Sequence, residues 1–187
     1  MLPGTIHPPE PSAMRRTFAL LPVLIALAAA PALAGPQDFQ EGAVIPGYGK
    51  FAPVTDPSIT PASVFKIVYD VSAAEAGKPN ASLDRVARFL NMAAAAGVPA
   101  GNVQLAVVVH GPATEDLRKT LKDGSPNLSA ELVTALIEAG VSVQLCGQAA
   151  VMRDAAAEDL IEGVTITLSA MTAHAQLQQQ GYTLNPF

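Results

Sequence analysis

Four apolar runs recur along the chain: Val64 to Val71, Val103 to Val109, Val141 to Leu145 and Val164 to Leu168. Each is rich in β-branched residues and has the length of a strand. Helical segments separate them. Leu83, Val86, Ala87, Leu90 and Ala94 recur at helical spacing after Asn80-Ala81-Ser82, which can cap a helix, and Gly97-Val98-Pro99 ends it. Thr114 to Leu121 reads as a short helix and Asp123 to Asn127 as a loop. Ser129 is then placed to cap a helix carrying Leu132, Val133, Leu136 and Ile137, stopped at Gly140. Past the third run come a short helix from Ala149 to Arg153 and a turn near Ala156 to Leu160. Past the fourth come a helix from Ala170 to Gln180 and Gly181 to Leu184, which can add a short fifth strand. Strands joined by helices demand right-handed βαβ crossovers. The expectation is a single α/β domain over residues 63–187, with a mainly parallel four- to five-stranded sheet flanked by helices.

The two preceding segments are different. Over residues 35–62, Pro36, Pro46, Pro53, Pro57 and Pro61 alternate with Gly42, Gly47 and Gly49, which gives an extended arm instead of a helix or sheet. Phe39, Ile45, Tyr48 and Phe51 give that arm apolar side chains to lay along this domain or a neighbour. Residues 1–34 read as upstream residues plus a secretory signal. Met14-Arg15-Arg16 is positive, Phe18 to Ala30 is almost wholly apolar, and Ala32-Leu33-Ala34 supplies a small-x-small cleavage pattern. The apolar run is short for a membrane span. Translation from Met1 or from Met14 gives the same mature chain. Cleavage after Ala34 predicts a periplasmic protein with no membrane anchor after signal removal.

Removal of Glu10, Arg15 and Arg16 takes the net charge from −5 to −6. An acidic chain without a basic run is a poor partner for nucleic acid. Hydrophobic residues make up 50% and charged ones 14%, in keeping with buried parallel strands and subunit interfaces.

In an open parallel sheet, function gathers at the carboxyl ends of the strands. Asp70, His110 and Cys146 fall there. Cys146 is the only cysteine in the chain, so a dithiol oxidoreductase is excluded. A free cysteine is most often a small buried hydrophobe. This one ends a strand, begins a helix and precedes Gly147, which admits close approach of a backbone or ligand. The amides of Gly147, Gln148 and Ala149 would favour the thiolate. His110 ends an apolar run and can activate the thiol if the two strands are neighbours, with Gly111-Pro112 turning the loop away. Gly111, Gly147, Gln148 and Asp70 are candidate ligand-binding residues. Arg153 is placed to pair with Asp154 or Glu158, and His174 reads as an interface or surface residue. One cysteine and scattered histidines give no metal-ligand spacing, and no nucleotide or serine-hydrolase motif is present. Neither a metal nor a cofactor is expected.

Three stretches carry a family resemblance: Val107 to Ala113, Val143 to Gln148 around Cys146, and Ala173 to Tyr182. On these the chain resembles the DsrE/DsrF-like (sulfur relay) family, particularly its exported members. The resemblance implies a small parallel α/β domain, usually assembled as a homo-oligomer (trimer or hexamer). It also implies that Cys146 accepts persulfide sulfur from, or passes it to, a donor or acceptor protein. Cys146-Gly147-Gln148 stands where cytoplasmic relatives have an alanine-rich segment. The leading expectation is sulfur binding or relay through Cys146 with His110 assisting. Two alternatives stay open: an oligomeric binding or structural protein in which Cys146 is only packed, and an enzyme acting on a small ligand in an inter-subunit pocket.

Overall fold

The computed structural model describes residues 35–186 and Gly4. The expected signal segment therefore lies outside the described residues. Five strands form one sheet: β1 (Phe65–Val71), β2 (Val103–Val109), β3 (Ser142–Cys146), β4 (Thr165–Thr167) and β5 (Thr183–Asn185). All pairings are parallel, and the order across the sheet is β4-β3-β2-β1-β5. Four α-helices lie between strands: α1 (Ala81–Ala95), α2 (Ala130–Glu138), α3 (Gly147–Met152) and α4 (Ala170–Gln179). The short helix expected over Thr114 to Leu121 is instead a 3-10 helix from Gly111 to Leu117, begun by Pro112 at a first-turn position.

Strand order decides which face each helix covers. The chain steps from β1 to β4 in one direction and then returns past β1 to place β5. Right-handed crossovers put helices of the forward steps on one face and the helix of the return step on the other. The core divides accordingly. Leu83, Val86 and Ala87 of α1 and Leu132, Val133 and Leu136 of α2 pack on Tyr69, Val71, Val107, Val109 and Leu145. On the opposite face a smaller cluster joins Ala173 and Leu177 of α4 to Val68, Ala106 and Val108. Among the described helices, α4 alone covers that second face.

Asn80 caps α1, its Oδ1 accepting from the backbone N–H of Ser82 and Leu83. Ser129, expected to cap α2, makes no such bond. Its hydroxyl donates to Oδ1 of Asp116 and accepts from the Asn80 backbone N–H, because the buried carboxylate is the stronger acceptor. Burial pushes the Asp116 carboxyl up, opposed by the bonds from Asn80 and Ser129. Buried Arg118 ties the same region together through Glu115, Asp159 and the carbonyls of Arg153 and Asp154.

The arm folds back on its own domain. Gln40 and Phe51 form an antiparallel bridge, and Ile45 and Phe51 are buried. Asn91 of α1 holds the loop between them. Its Oδ1 accepts from the N–H of Val44 and Ile45, and its Nδ2 donates to the carbonyls of Ile45, Tyr48 and Gly49. Gly42 must be glycine here, since a Cβ would sit 1.9 Å from Cγ of Asn91.

Candidate functional site

Side chains alternate along a strand, and partners in adjacent strands point to the same face. Asp70 pairs with Val108, and Val108 pairs with Gln144. His110 lies two residues past Val108 with extended backbone, its N–H donating to the Val71 carbonyl at 2.9 Å. Cys146 lies two past Gln144. Register therefore brings Asp70, His110 and Cys146 to one edge and one face of the sheet, the face that α4 covers.

There a fourth residue joins them. Ala170, Ala173, His174 and Leu177 follow the i, i+3, i+4, i+7 spacing of an inward stripe on α4. His174, expected at a surface or interface, is turned inward by that stripe, and its Nε2 lies 2.7 Å from Oδ1 of Asp70. Nε2 of His110 lies 3.1 and 3.2 Å from the two oxygens of the same carboxylate. Asp70 thus stands between two imidazoles. The spacing is a property of the helix alone, but what His174 faces is set by the sheet.

These four side chains border a cavity of about 320 Å³. Gln148, Ser169, Ala170 and Met171 complete it. That volume suits a small ligand or the end of a larger one. Cys146 is 6% exposed, and neither imidazole hydrogen-bonds its Sγ; both Nε2 atoms are engaged by Asp70. Cys146 is also the N-cap of α3, with backbone at φ −59°, ψ 117°. At six residues, α3 supplies a smaller dipole than a helix of several turns.

Neither Gly111 nor Gly147 lines this cavity, and Gly147 lines the neighbouring groove between α3 and β4. A Cβ on Gly147 would come within 2.5 Å of the Thr167 carbonyl, so the close approach it permits is by the β4 backbone. Gly111 has φ +55° and turns the chain beneath Ser72. Gln148 lines the cavity, with its Nε2 donating to the Leu168 carbonyl at 3.1 Å. On its other side Gln148 borders an open groove of about 580 Å³ between α3 and β4, in which Asp154 is the only charged lining residue among those described. Val151, Met152, Leu168 and Met171 are exposed around these openings. Among the described residues, no three histidine, cysteine or acidic side chains are grouped to hold a metal ion. No helix among them is long and apolar enough to cross a membrane.

The sequence profile of the DsrE/DsrF-like family matches residues 66–186, from β1 through β5. The chain belongs to the DsrE/DsrF-like family. Solved structures agree on the fold. A protein of unknown function from Methanobacterium thermoautotrophicum, MTH1491, superposes with a TM-score of 0.52 at 18% identity, over 66% of this chain and 99% of that one. The ychN protein of E. coli superposes with a TM-score of 0.50 at 24% identity, over 66% of this chain and 100% of that one. No match is found among curated proteins. The arm, residues 35–62, lies outside the matched family region, which begins inside β1 of this DsrE/DsrF-like chain, whereas Asn91, which clamps it, lies within that region.

Proposed function

We propose that this DsrE/DsrF-like protein is exported and carries a single sulfur atom as a persulfide on Cys146. His110 assists by favouring the thiolate or by hydrogen-bonding the bound sulfur. The observation that carries this reading is the cavity shared by Cys146, Asp70, His110 and His174. A thiol bordering a small cavity with two imidazoles has both room for a sulfur donor and groups able to take up its proton. The chain holds no second cysteine, so a sulfur on Cys146 leaves only by passing to another molecule. Exposed Val151, Met152, Leu168 and Met171 support a homo-oligomer, trimer or hexamer, around this edge.

A second reading has one observation in its favour. Cys146 is 6% exposed, as a merely packed cysteine would be. Mass spectrometry separates the two. Protein treated with a persulfide donor should gain one sulfur on Cys146, and Cys146→Ser protein should gain none. Complete resistance of folded protein to iodoacetamide at neutral pH sinks the relay reading. Light scattering on a sizing column tests assembly, and a clean monomer counts against it.

A further inference from the structure

Among the described residues, Nδ1 of His174 is the one buried side-chain nitrogen or oxygen without a hydrogen-bond partner. Orphaned polar atoms are rare in native interiors, and each calls for a reason. The other ring nitrogen is fixed: Nε2 faces Oδ1 of Asp70 at 2.7 Å. An ionised carboxylate only accepts, so Nε2 carries hydrogen and the neutral ring leaves a lone pair on Nδ1. His110 reaches the same carboxylate at 3.1 Å. A proton added to either ring therefore meets the same negative charge.

The titratable groups around His174 are Asp70 from β1, His110 from the end of β2 and Cys146 from the end of β3. Among the described residues, no lysine or arginine lines the cavity. With α3 only six residues long, an imidazolium is the main source of positive charge available to a thiolate there. We infer that His174 is a positioning residue of the Cys146 site, acting through Asp70 so that a proton leaving the thiol is held by the two imidazoles together. The inference rests on the sulfur-carrying reading above and gives it a donor class, a low-molecular-weight persulfide R–S–SH that fits the cavity.

The step balances. The Cys146 proton passes to the imidazole pair, and the thiolate attacks the outer sulfur of R–S–SH. The bond from Sγ to that sulfur forms as the donor's S–S bond breaks. The electron pair departs on R–S⁻, which takes the proton back from the imidazoles and leaves as R–SH. Cys146 is left as the persulfide, with no net change in protons or electrons.

The test is the pH profile of iodoacetamide alkylation of Cys146 in wild-type and His174→Gln protein. Glutamine still offers an N–H to Asp70 but cannot titrate. The midpoint should rise by about one pH unit, with alkylation about tenfold slower below it. An unchanged midpoint in a variant that melts like wild type overturns the inference, because a purely structural tie leaves the profile where it was. If His174→Gln does not fold, imidazole titration by NMR serves, comparing wild type with Cys146→Ser. Displacement of the His174 midpoint on losing the thiol supports the coupling, and coincident curves overturn it. A shifted alkylation profile together with no sulfur gained from a persulfide donor upholds the coupling and sinks the sulfur-carrying reading instead.

Discussion

Nε2 of His174 and Oδ1 of Asp70 are 104 positions apart in sequence and 2.7 Å apart in space. The bond ties α4 to the end of β1, on the face that α4 covers. Asp70→Ala leaves two imidazole N–H groups without their acceptor. It should lower the free energy of unfolding by about 1–3 kcal/mol, read from urea titration. Asp70→Asn keeps one acceptor and should lose less. Equal loss in the two variants would show that the carboxylate oxygens contribute no bond worth keeping.

Gly147 permits the contact on which the cysteine's placement depends. A methyl at this position meets the Thr167 carbonyl at 2.5 Å and the Leu168 carbonyl at 3.3 Å. Neither backbone atom can move without disturbing the pairing of Cys146 with Thr167. Gly147→Ala should cost about 1–3 kcal/mol and lower the thermal midpoint. It should also change the alkylation rate of Cys146, since the same shift moves the thiol. A wild-type melt and rate would refute the packing role.

Asn91 makes five bonds to the backbone of the arm from within α1, where Asp84 and Arg88 add one each. Asn91→Ala strips partners from buried backbone groups around Ile45 and should destabilise the protein by at least about 2 kcal/mol. Trypsin should then cleave after Lys50 faster than in wild type, on the loop that Asn91 no longer holds. Cleavage at an unchanged rate would mean that Ile45 and Phe51 dock the arm without it.

Tyr69 gives an alkaline signature. Burial pushes its phenol up to about 12 from an ordinary 10.0, with a hydrogen bond to Asn185 opposing the rise. The folded state thus binds the phenolic proton more tightly than the unfolded chain. The stability it contributes is fully present below pH 10 and is lost as pH rises toward 12. Wild-type protein should weaken steeply across that window in urea titrations, and Tyr69→Phe should flatten the slope. A slope that Tyr69→Phe leaves intact would assign the loss to other groups.

The strands and their direction are written locally. The run from Leu105 to Val109 is apolar throughout because β2, at the centre of the sheet, is covered on both faces. The helical spacing of Leu83, Val86, Ala87 and Leu90 likewise follows from one buried stripe. Strand alternation with helices then imposes the parallel sheet and puts Asp70, His110 and Cys146 at carboxyl ends. The short elements were less legible. The segment after His110 tightens into a 3-10 helix, and Ser129 gives its hydroxyl to Asp116 instead of capping α2. At Ser129 a tertiary partner outweighs a local preference.

By itself, then, the sequence determined the α/β class, the strand ends and the single thiol, since these depend on periodicity and composition along a short stretch of chain. Tertiary structure decided what those ends face. A slip of one residue between strands would have turned Asp70 or Cys146 to the other side, so only the pairing of Asp70 with Val108 and Val108 with Gln144 fixes the shared face. Placement of α4 required the return crossover from β4 to β5, a property of strand order across the whole sheet. That crossover carries His174 to Asp70, and no local pattern encodes a contact between residues so far apart.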